Sequence, residues 1–211
     1  MSVMIATPTT GTICPETVKS LSGLLITEMD KGDYGEIYIP SWEFVYGYDV
    51  ASARNKLVRI AKDKYCSHIL FVDDDVTFGG EYLQQAWDDN CDVLLGWYPH
   101  RSKSGPWDGR TNLCKLGEFD FKDQYTADEL NDVAGKNDPV IQVHGGGLGF
   151  ALIDLAVFDV LPEPWFKWTD GTRGPLSEDL WFCWQCQKAG IDVYADARLK
   201  CGHLMRYVEG A

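Results

Sequence analysis

Basic residues are scarce in this sequence relative to acidic ones. Its 211 residues include 19 Lys and Arg but 32 Asp and Glu, which gives a formal net charge of −13 at pH 7. Surfaces that bind nucleic acid or anionic membranes need clustered positive charge. The composition therefore argues against a nucleic-acid partner. It suits a protein that uses a metal ion to hold an anionic ligand.

Long apolar runs and a secretory leader are also absent. No stretch holds the roughly 18 continuous apolar residues that a membrane-spanning helix needs, and residues 1–7 lack a basic region. The seven cysteines are odd in number and scattered between Cys14 and Cys201, unlike the dense, even set of a secreted disulfide framework. These absences predict a soluble cytoplasmic protein with reduced thiols and no membrane segment.

What the sequence does contain is an alternation of apolar and amphipathic segments. In the first hundred residues the patterns predict strands at 2–6, 36–39, 68–72 and 92–97. Helices are predicted between them at 15–29, 50–65 and 81–90. This order is typical of a parallel α/β sheet. The second half predicts strands at 140–143, 150–153 and 192–195, helices at 126–133 and 177–189, and a mobile loop at 169–175.

The strongest chemical signal is the carboxylate triplet Asp73-Asp74-Asp75, which directly follows a buried apolar strand. Ligands of open α/β sheets bind at this carboxyl edge. Adjacent carboxylates repel one another unless a cation or proton compensates them, and their hard oxygens suit Mg²⁺ or Mn²⁺. In an extended segment Asp73 and Asp75 point to the same side. An acidic turn that caps the next helix is the simpler alternative.

The triplet also matches the signature of haloacid dehalogenase phosphatases. That signature is an apolar strand followed by Asp-x-Asp-x-Thr, here Asp73, Asp75 and Thr77, with the first Asp as nucleophile and the second as general acid/base. It usually lies on the first strand of its domain, whereas two predicted strands precede it here. No later lysine and acidic loop follow in the usual context. A phosphohydrolase therefore stays an alternative, less favoured than a transferase.

An ordered set of segments resembles the small GT-A-fold glycosyltransferases (GT2-like). The matching segments lie, in chain order, at 5–10, 53–57, 70–76, 145–149, 177–180 and 202–203. Each is weak alone, but together they cover nearly the whole chain in the family's order. The chain is similar in particular to a glycosyltransferase domain of a large algal DNA virus that modifies the capsid glycoprotein. Its end soon after His203 fits a domain of a longer polypeptide.

The resemblance implies a GT-A-like αβα sandwich with a mostly parallel central sheet and a Rossmann-like N-terminal half. Residues 1–100 would form a nucleotide-binding half and residues 101–211 an acceptor- and sugar-binding half of one domain. The residues assigned to the nucleotide-sugar donor are Thr7, Pro8, Thr9, Arg54, Asp73, Asp74, Gly146 and Gly147. Asp75 and His203 would bind Mn²⁺ or Mg²⁺, which stabilises the leaving nucleoside diphosphate. The alternative for Arg54 is a solvated cation on a helix.

Two acidic residues, Glu178 and Asp179, begin the helix that Ser177 is predicted to cap. In inverting members of the family, an acidic residue at this place deprotonates the acceptor hydroxyl as general base. The resemblance therefore makes Asp179 or Glu178 the catalytic residue, without deciding between them. Stabilisation of two carboxylates by the helix dipole is the structural alternative.

Two late motifs have competing interpretations. The run His144-Gly145-Gly146-Gly147 is like the oxyanion loop of lipases, but the chain has no G-x-S-x-G nucleophile. We interpret it as a tight turn where the backbone approaches the donor sugar. The spacing C-x-x-C…C-x-H would suit zinc; its members are Cys183, Cys186, Cys201 and His203. The first two cysteines lie in an amphipathic helix, where core packing is the favoured interpretation.

The resulting prediction is a metal-dependent glycosyltransferase of the hexosyltransferase type. It would move a sugar from a nucleotide-sugar donor, a UDP-sugar by resemblance, to a hydroxyl of a glycan or glycoprotein acceptor. A noncatalytic nucleotide-sugar-binding domain is the other alternative.

Overall fold

A seven-stranded sheet lies at the centre of the computed structural model, which describes residues 2–30, 37–100, 109–117, 123–170 and 176–204. In chain order the strands are β1 (Val3–Pro8), β2 (Trp42–Val45), β3 (His68–Val72), β4 (Val76–Thr77), β5 (Val93–Trp97), β6 (Arg110–Cys114), β7 (Gln124–Thr126), β8 (Val140–Val143), β9 (Gly145–Gly146), β10 (Phe150–Asp154), β11 (Val193–Lys200) and β12 (Gly202–His203). The helices are α1 (Pro15–Asp30), α2 (Val50–Asp63), α3 (Tyr82–Asp88), α4 (Ala127–Ala134), α5 (Val157–Val160) and α6 (Glu178–Lys188).

The main sheet is mixed, with strand order β2-β1-β3-β10-β5-β11-β8. β1 pairs in parallel with β2 and β3, and β5 pairs in parallel with β11. β10 runs antiparallel between β3 and β5, and β8 runs antiparallel at the far edge. Most strands therefore share one direction, as predicted. Two small sheets, β12-β4 and β7-β6-β9, lie beside the main one.

The predicted strand at 36–39 is wrong. Residue 36 lies outside the described part of the chain, and Tyr38 makes a single bridge to Ser2. The strand forms after Pro40 instead, where Trp42–Val45 pairs with β1. Ile37 is buried without joining a ladder, so its apolar character reflects core packing. Most of the predicted loop at 169–175 also lies outside the described residues.

Helices cover both faces of the main sheet and form two cores. Alternate strand residues face opposite ways, so Ile69 and Phe71 join one apolar cluster while Leu70 and Val72 join the other. Helices α2, α4, α5 and α6 contribute to the first cluster, and α1 and α3 to the second. This arrangement is the predicted αβα sandwich. Among the described residues, we find no helix with the length and apolarity to cross a bilayer.

Helix caps fix two site-bearing helices at the carboxyl edge of the sheet. The Asp49 side chain accepts a hydrogen bond from Ser52 N (3.1 Å) before α2, and the Ser177 hydroxyl accepts one from Leu180 N (3.4 Å) before α6. Each cap satisfies an amide that the helix itself leaves without a partner. The Ser177 cap agrees with the sequence prediction. The two caps position the first turns of α2 and α6 beside the ends of β1 and β3.

A buried acid pair lies where the end of α3 meets β11. Asp196 is fully buried and accepts hydrogen bonds from Gln85 Nε2 (2.9 Å) and Arg198 Nε (2.9 Å). Arg198 Nη2 also donates to Asp89 Oδ1 (2.8 Å). Burial, then the charge and hydrogen bond of Asp196, raise the pKa of Asp89 to about 7, against the opposing effect of Arg198. The native state therefore holds a proton that the unfolded chain releases near pH 4.

Asp89→Asn is expected to make the protein more stable than wild type at pH 8, and no more stable near pH 4. A raised native pKa contributes stability below pH 4 that is lost as pH rises through about 7. The Asn amide keeps an oxygen for Arg198 and donates an N–H to Asp196, as the protonated carboxyl does. The gain is a few kcal/mol at most, since one pKa unit is worth about 1.4 kcal/mol. Urea unfolding at both pH values measures it.

The control for this prediction is Asp63→Asn, which removes the same charge from an exposed position at the end of α2. It should not stabilise the protein at pH 8. Equal stability of Asp89→Asn and wild type at pH 8 would show that the acid pair does not hold a proton.

Candidate active site

A cavity of about 430 Å³ opens at the carboxyl edge of the sheet. The predicted site residues that line it are Pro8, Thr9, Arg54, Asp73, Asp74, Asp75, Glu178, Asp179 and His203. They come from the end of β1, from α2, from the turn after β3, from α6 and from β12. The fold thus brings Pro8, near the start of the described chain, into the same cavity as His203, near its end. Two exposed aromatic side chains, Tyr48 and Trp168, also line this cavity.

The three carboxylates of the triplet have three different sets of partners. Asp73 Oδ1 accepts a hydrogen bond from Arg54 Nη2 (2.9 Å). Asp74 Oδ2 accepts from the Thr9 hydroxyl (2.7 Å) and from Thr10 N (3.3 Å). Asp74 therefore holds the loop after β1 in place at the cavity wall. Asp75 is the member that lies beside His203.

Asp75 and His203 are adjacent because β12 pairs antiparallel with β4. His203 Nε2 is 3.5 Å from Asp75 Oδ1, and Leu204 N donates to the Asp75 carbonyl (2.8 Å). A carboxylate oxygen and an imidazole nitrogen are both ligands that Mn²⁺ accepts. No cluster of three or more His, Cys, Asp or Glu ligands occurs among the described residues. Asp75 and His203 could each contribute one ligand to a divalent ion at this place.

Arg54 is a buried cation among the carboxylates. Its side chain is 1% exposed, and its Nε lies 3.4 Å from Asp179 Oδ1 and 3.7 Å from Glu178 Oε1. Burial alone would lower the pKa of the guanidinium, but Asp73, Asp179 and Glu178 raise it above its ordinary value. Within the described chain, Nε and Nη1 have no hydrogen-bond partner. Both atoms are closed off from solvent, and Nε faces the carboxylates of Asp179 and Glu178, so Arg54 offers the cavity its positive charge.

Asp179 is a half-buried carboxyl whose pKa is raised towards neutral pH. Burial raises its pKa to about 7, and the charge and hydrogen bond of Glu178 add to this effect. Arg54 and the backbone N–H of Leu148 oppose it. The N-terminus of α6 also favours the ionised form, but burial dominates. A carboxyl with such a pKa can accept a proton from a substrate hydroxyl at neutral pH.

Three predicted donor-binding residues lie outside this cavity. Thr7 is fully buried, and its hydroxyl accepts a hydrogen bond from Trp42 Nε1 (3.0 Å), which joins β1 to β2. A Cβ on Gly146 would lie 2.8 Å from the Leu113 side chain, so this glycine permits close packing against β6. Gly147 lines a second cavity instead. Donor contacts of these three residues stay predictions.

The second cavity, of about 250 Å³, adjoins the first. Ser177, Asp179 and His203 line both. The other walls are polar as well as apolar, and include Tyr98, His100, Asn112, Gln124 and Gly147. From the sequence, Tyr98 is one of five aromatic residues on or near loops, with Trp97, Trp107, Trp165 and Trp168, of which one or two are expected to stack on a sugar; its hydroxyl has no predicted role. The position of Tyr98 directly after β5, like that of Asp73 after β3, was a signal that could have found it.

The cysteines of the zinc alternative lie in two different cores. Cys183 and Cys186 belong to the cluster on one face of the sheet, and Cys201 belongs to the cluster on the other. Burial raises the pKa of all three thiols, that of Cys186 to about 12. Neutral, buried thiols behave as small apolar side chains. The favoured interpretation of core packing agrees with this arrangement.

Comparison with known proteins gives structural neighbours only. No protein-family model and no curated protein matches the chain. The viral protein A197 from STIV has a TM-score of 0.59 and 20% identity, over 98% of this chain and 87% of its own. GalNAc-T7, solved with UDP, GalNAc and Mn²⁺, has a TM-score of 0.59 and 11% identity, over 99% of this chain and 44% of its own. TarS 1–349 from S. aureus, solved with UDP-GlcNAc, has a TM-score of 0.47 and 15% identity, over 99% of this chain and 60% of its own.

The chain spans less than half of the GalNAc-T7 chain that it matches. Structural likeness at identities this low establishes the fold only. The chemistry has to be argued from the residues of the site. The resemblance drawn from the sequence is confirmed at that level: this protein has the mixed α/β, GT-A-like fold.

Proposed function

We propose that this protein is a glycosyltransferase that moves a sugar from a UDP-linked donor to a hydroxyl of a glycan or glycoprotein. The observation that carries the proposal is the position of Asp179, which lines both cavities and has a pKa of about 7. One cavity holds the cationic Arg54 and the Asp75–His203 pair, and the other is lined by polar side chains. A base between two binding sites suits a transfer reaction.

The larger cavity supplies the groups that a nucleoside diphosphate needs. Arg54 lines this cavity and would place its positive charge beside the phosphates, and Asp75 and His203 would hold the divalent ion. A bound Mn²⁺ or Mg²⁺ supplies Lewis-acid stabilisation of the diphosphate as leaving group. The GalNAc-T7 neighbour, solved with UDP, GalNAc and Mn²⁺, supports this class of donor. The buried Asp74 keeps the loop at Thr9 in position beside it.

Asp179 would act as general base on the acceptor. The acceptor oxygen forms a bond to the anomeric carbon, the bond from that carbon to the diphosphate breaks, and the acceptor proton moves to Asp179. The products are the glycoside and UDP, with the anomeric configuration inverted. Arg54 Nε, 3.4 Å from Asp179 Oδ1, orients this carboxylate. A capsid glycoprotein as acceptor, and the division into donor and acceptor halves at residue 100, stay predictions.

The test is a screen of UDP-glucose, UDP-galactose and UDP-GlcNAc with and without Mn²⁺. A ligand that binds only the native state raises the unfolding temperature, so we expect a Mn²⁺-dependent shift with at least one donor. Slow hydrolysis of that donor, and transfer to one of a panel of p-nitrophenyl glycosides, should follow. Binding without hydrolysis or transfer would favour a noncatalytic nucleotide-sugar-binding domain. Phosphate release from p-nitrophenyl phosphate would favour the phosphohydrolase alternative.

A further inference from the structure

Tyr98 is held rigidly between the main sheet and the second cavity. Its side chain is 6% exposed. Its backbone N–H donates to Asn112 Oδ1 (2.8 Å), and its carbonyl accepts from Asn112 N (3.1 Å). The Asn112 amide also donates to the carbonyls of Gly96 (3.3 Å) and Gly147 (3.2 Å). The hydrogen bonds of Asn112 therefore join three backbone segments and fix the position of Tyr98.

The glycine run at 145–149 surrounds the Tyr98 hydroxyl. Gly149 N donates to this oxygen (3.2 Å). A Cβ on Gly147 would lie 2.3 Å from the same oxygen, and a Cβ on Gly149 would lie 2.9 Å from it. Neither glycine has a positive φ, so the phenol, rather than a special backbone conformation, excludes a side chain at these positions. Gly147, the last residue of the predicted donor-sugar turn, and Gly149 thus form a cradle for the Tyr98 hydroxyl.

The phenol lies next to the reacting groups. Its ring packs edge-on against His203, with centroids 4.8 Å apart, and both Tyr98 and Asp179 line the second cavity. Burial, with the charges of Asp73 and Asp179, raises the pKa of Tyr98 well above its ordinary value. The hydroxyl therefore keeps its proton at neutral pH. Among the described residues, Gly149 N–H is its only hydrogen-bond partner, which leaves the O–H proton to donate.

We propose that Tyr98 is a substrate-positioning residue whose hydroxyl donates a hydrogen bond to the acceptor sugar in the second cavity. This inference rests on the proposed function. The occupant of the second cavity is a polyhydroxyl ligand, because His100 and Gln124 add further polar groups to the wall of that cavity. With one acceptor hydroxyl facing Asp179 and another oxygen bound by Tyr98, the sugar has two fixed contacts. Tyr98 would therefore select which hydroxyl reacts.

The kinetic test is Tyr98→Phe with the donor and p-nitrophenyl glycoside identified in the screen. The variant keeps the ring against His203 and loses the hydroxyl, together with its hydrogen bond from Gly149 N. We expect kcat/KM for the acceptor to fall on the order of tenfold, as for one lost hydrogen bond to a substrate, mostly through KM. Donor hydrolysis without acceptor, and Mn²⁺-dependent UDP binding, should stay as in wild type. A merely structural role would lower all of these together.

The matched control is Tyr82→Phe, which removes a hydroxyl that donates to the Lys200 carbonyl (3.0 Å) and does not line either cavity. It should leave the acceptor KM unchanged. A wild-type acceptor KM in Tyr98→Phe would overturn this inference alone. If wild type binds no UDP-sugar and transfers no sugar, the proposed function fails and this inference fails with it.

A second test addresses the cradle without any substrate. Gly147→Ala should lower the unfolding temperature clearly in the wild-type background, because the new methyl meets the Tyr98 oxygen. In the Tyr98→Phe background the nearest remaining ring atom is 3.3 Å from the methyl, so the loss should be much smaller. This non-additivity is the expected signature of a direct contact. Equal losses in both backgrounds would show that the hydroxyl does not occupy the cradle.

Discussion

Asp179→Asn is expected to lower the rate of sugar transfer by about 10² to 10⁴, the usual worth of a positioned general base. The amide keeps the size of the side chain and its place near Arg54, but it cannot accept the acceptor's proton. Binding of UDP and of the UDP-sugar in Mn²⁺ should change little, because Arg54, Asp75 and His203 remain. Single-turnover transfer, with calorimetry of UDP binding, separates the two effects.

The pH profile of the same variant is a further readout. Burial raises the pKa of Asp179 to about 7, and a base must be ionised to act. Wild-type kcat/KM should therefore rise with pH and level off above about 7, whereas the residual rate of Asp179→Asn should lack this step. Glu178→Gln is the matched control on the neighbouring residue and should retain most activity.

Other outcomes would reassign these carboxylates. If Glu178→Gln loses transfer and Asp179→Asn does not, the base is Glu178. Loss of donor binding with an unchanged transfer step would place Asp179 on the donor sugar. If neither substitution affects binding or transfer, the two residues only stabilise the start of α6.

Local patterns in the sequence predicted the parts of the site that depend on one segment each. The apolar run before Asp73 forces a buried strand, and a buried strand in a sandwich must end at a sheet edge. The Ser177 cap likewise defines where α6 begins. The sequence carries a clear signal for the burial of Arg54, since it shares a helix face with Leu57, Val58 and Ala61 at spacings of three, four and seven. That spacing favours burial over a solvated cation.

Contacts between distant segments could not be predicted in this way. β10 enters the sheet antiparallel between β3 and β5, and nothing in an apolar run of five residues records its direction or neighbours. The partner of Asp74 is Thr9, 65 residues away, so the triplet alone cannot show that its middle member binds a loop. The cradle around Tyr98 needs two segments 51 residues apart. In each case the pairing depends on the tertiary fold.

Asp75→Ala is expected to abolish the Mn²⁺-dependent part of UDP binding while the protein stays folded. The Leu204 N–H bonds to the backbone carbonyl of Asp75, so the substitution leaves the β12–β4 pair intact. His203→Ala should reduce Mn²⁺-dependent affinity in the same direction. Titration calorimetry of UDP with and without Mn²⁺ measures both, and Asp63→Asn on the exposed end of α2 is the control for loss of one negative charge.

The double variant distinguishes a shared metal from two separate effects. If Asp75 and His203 bind one ion, removing either already removes the metal-dependent affinity, and Asp75→Ala with His203→Ala should be no weaker than Asp75→Ala alone. Additive losses would mean that the two side chains contact UDP independently. Unchanged UDP affinity of Asp75→Ala in Mn²⁺ would contradict the metal assignment outright. Arg54, a cation that lines the same cavity, would then be the main group that attracts the diphosphate.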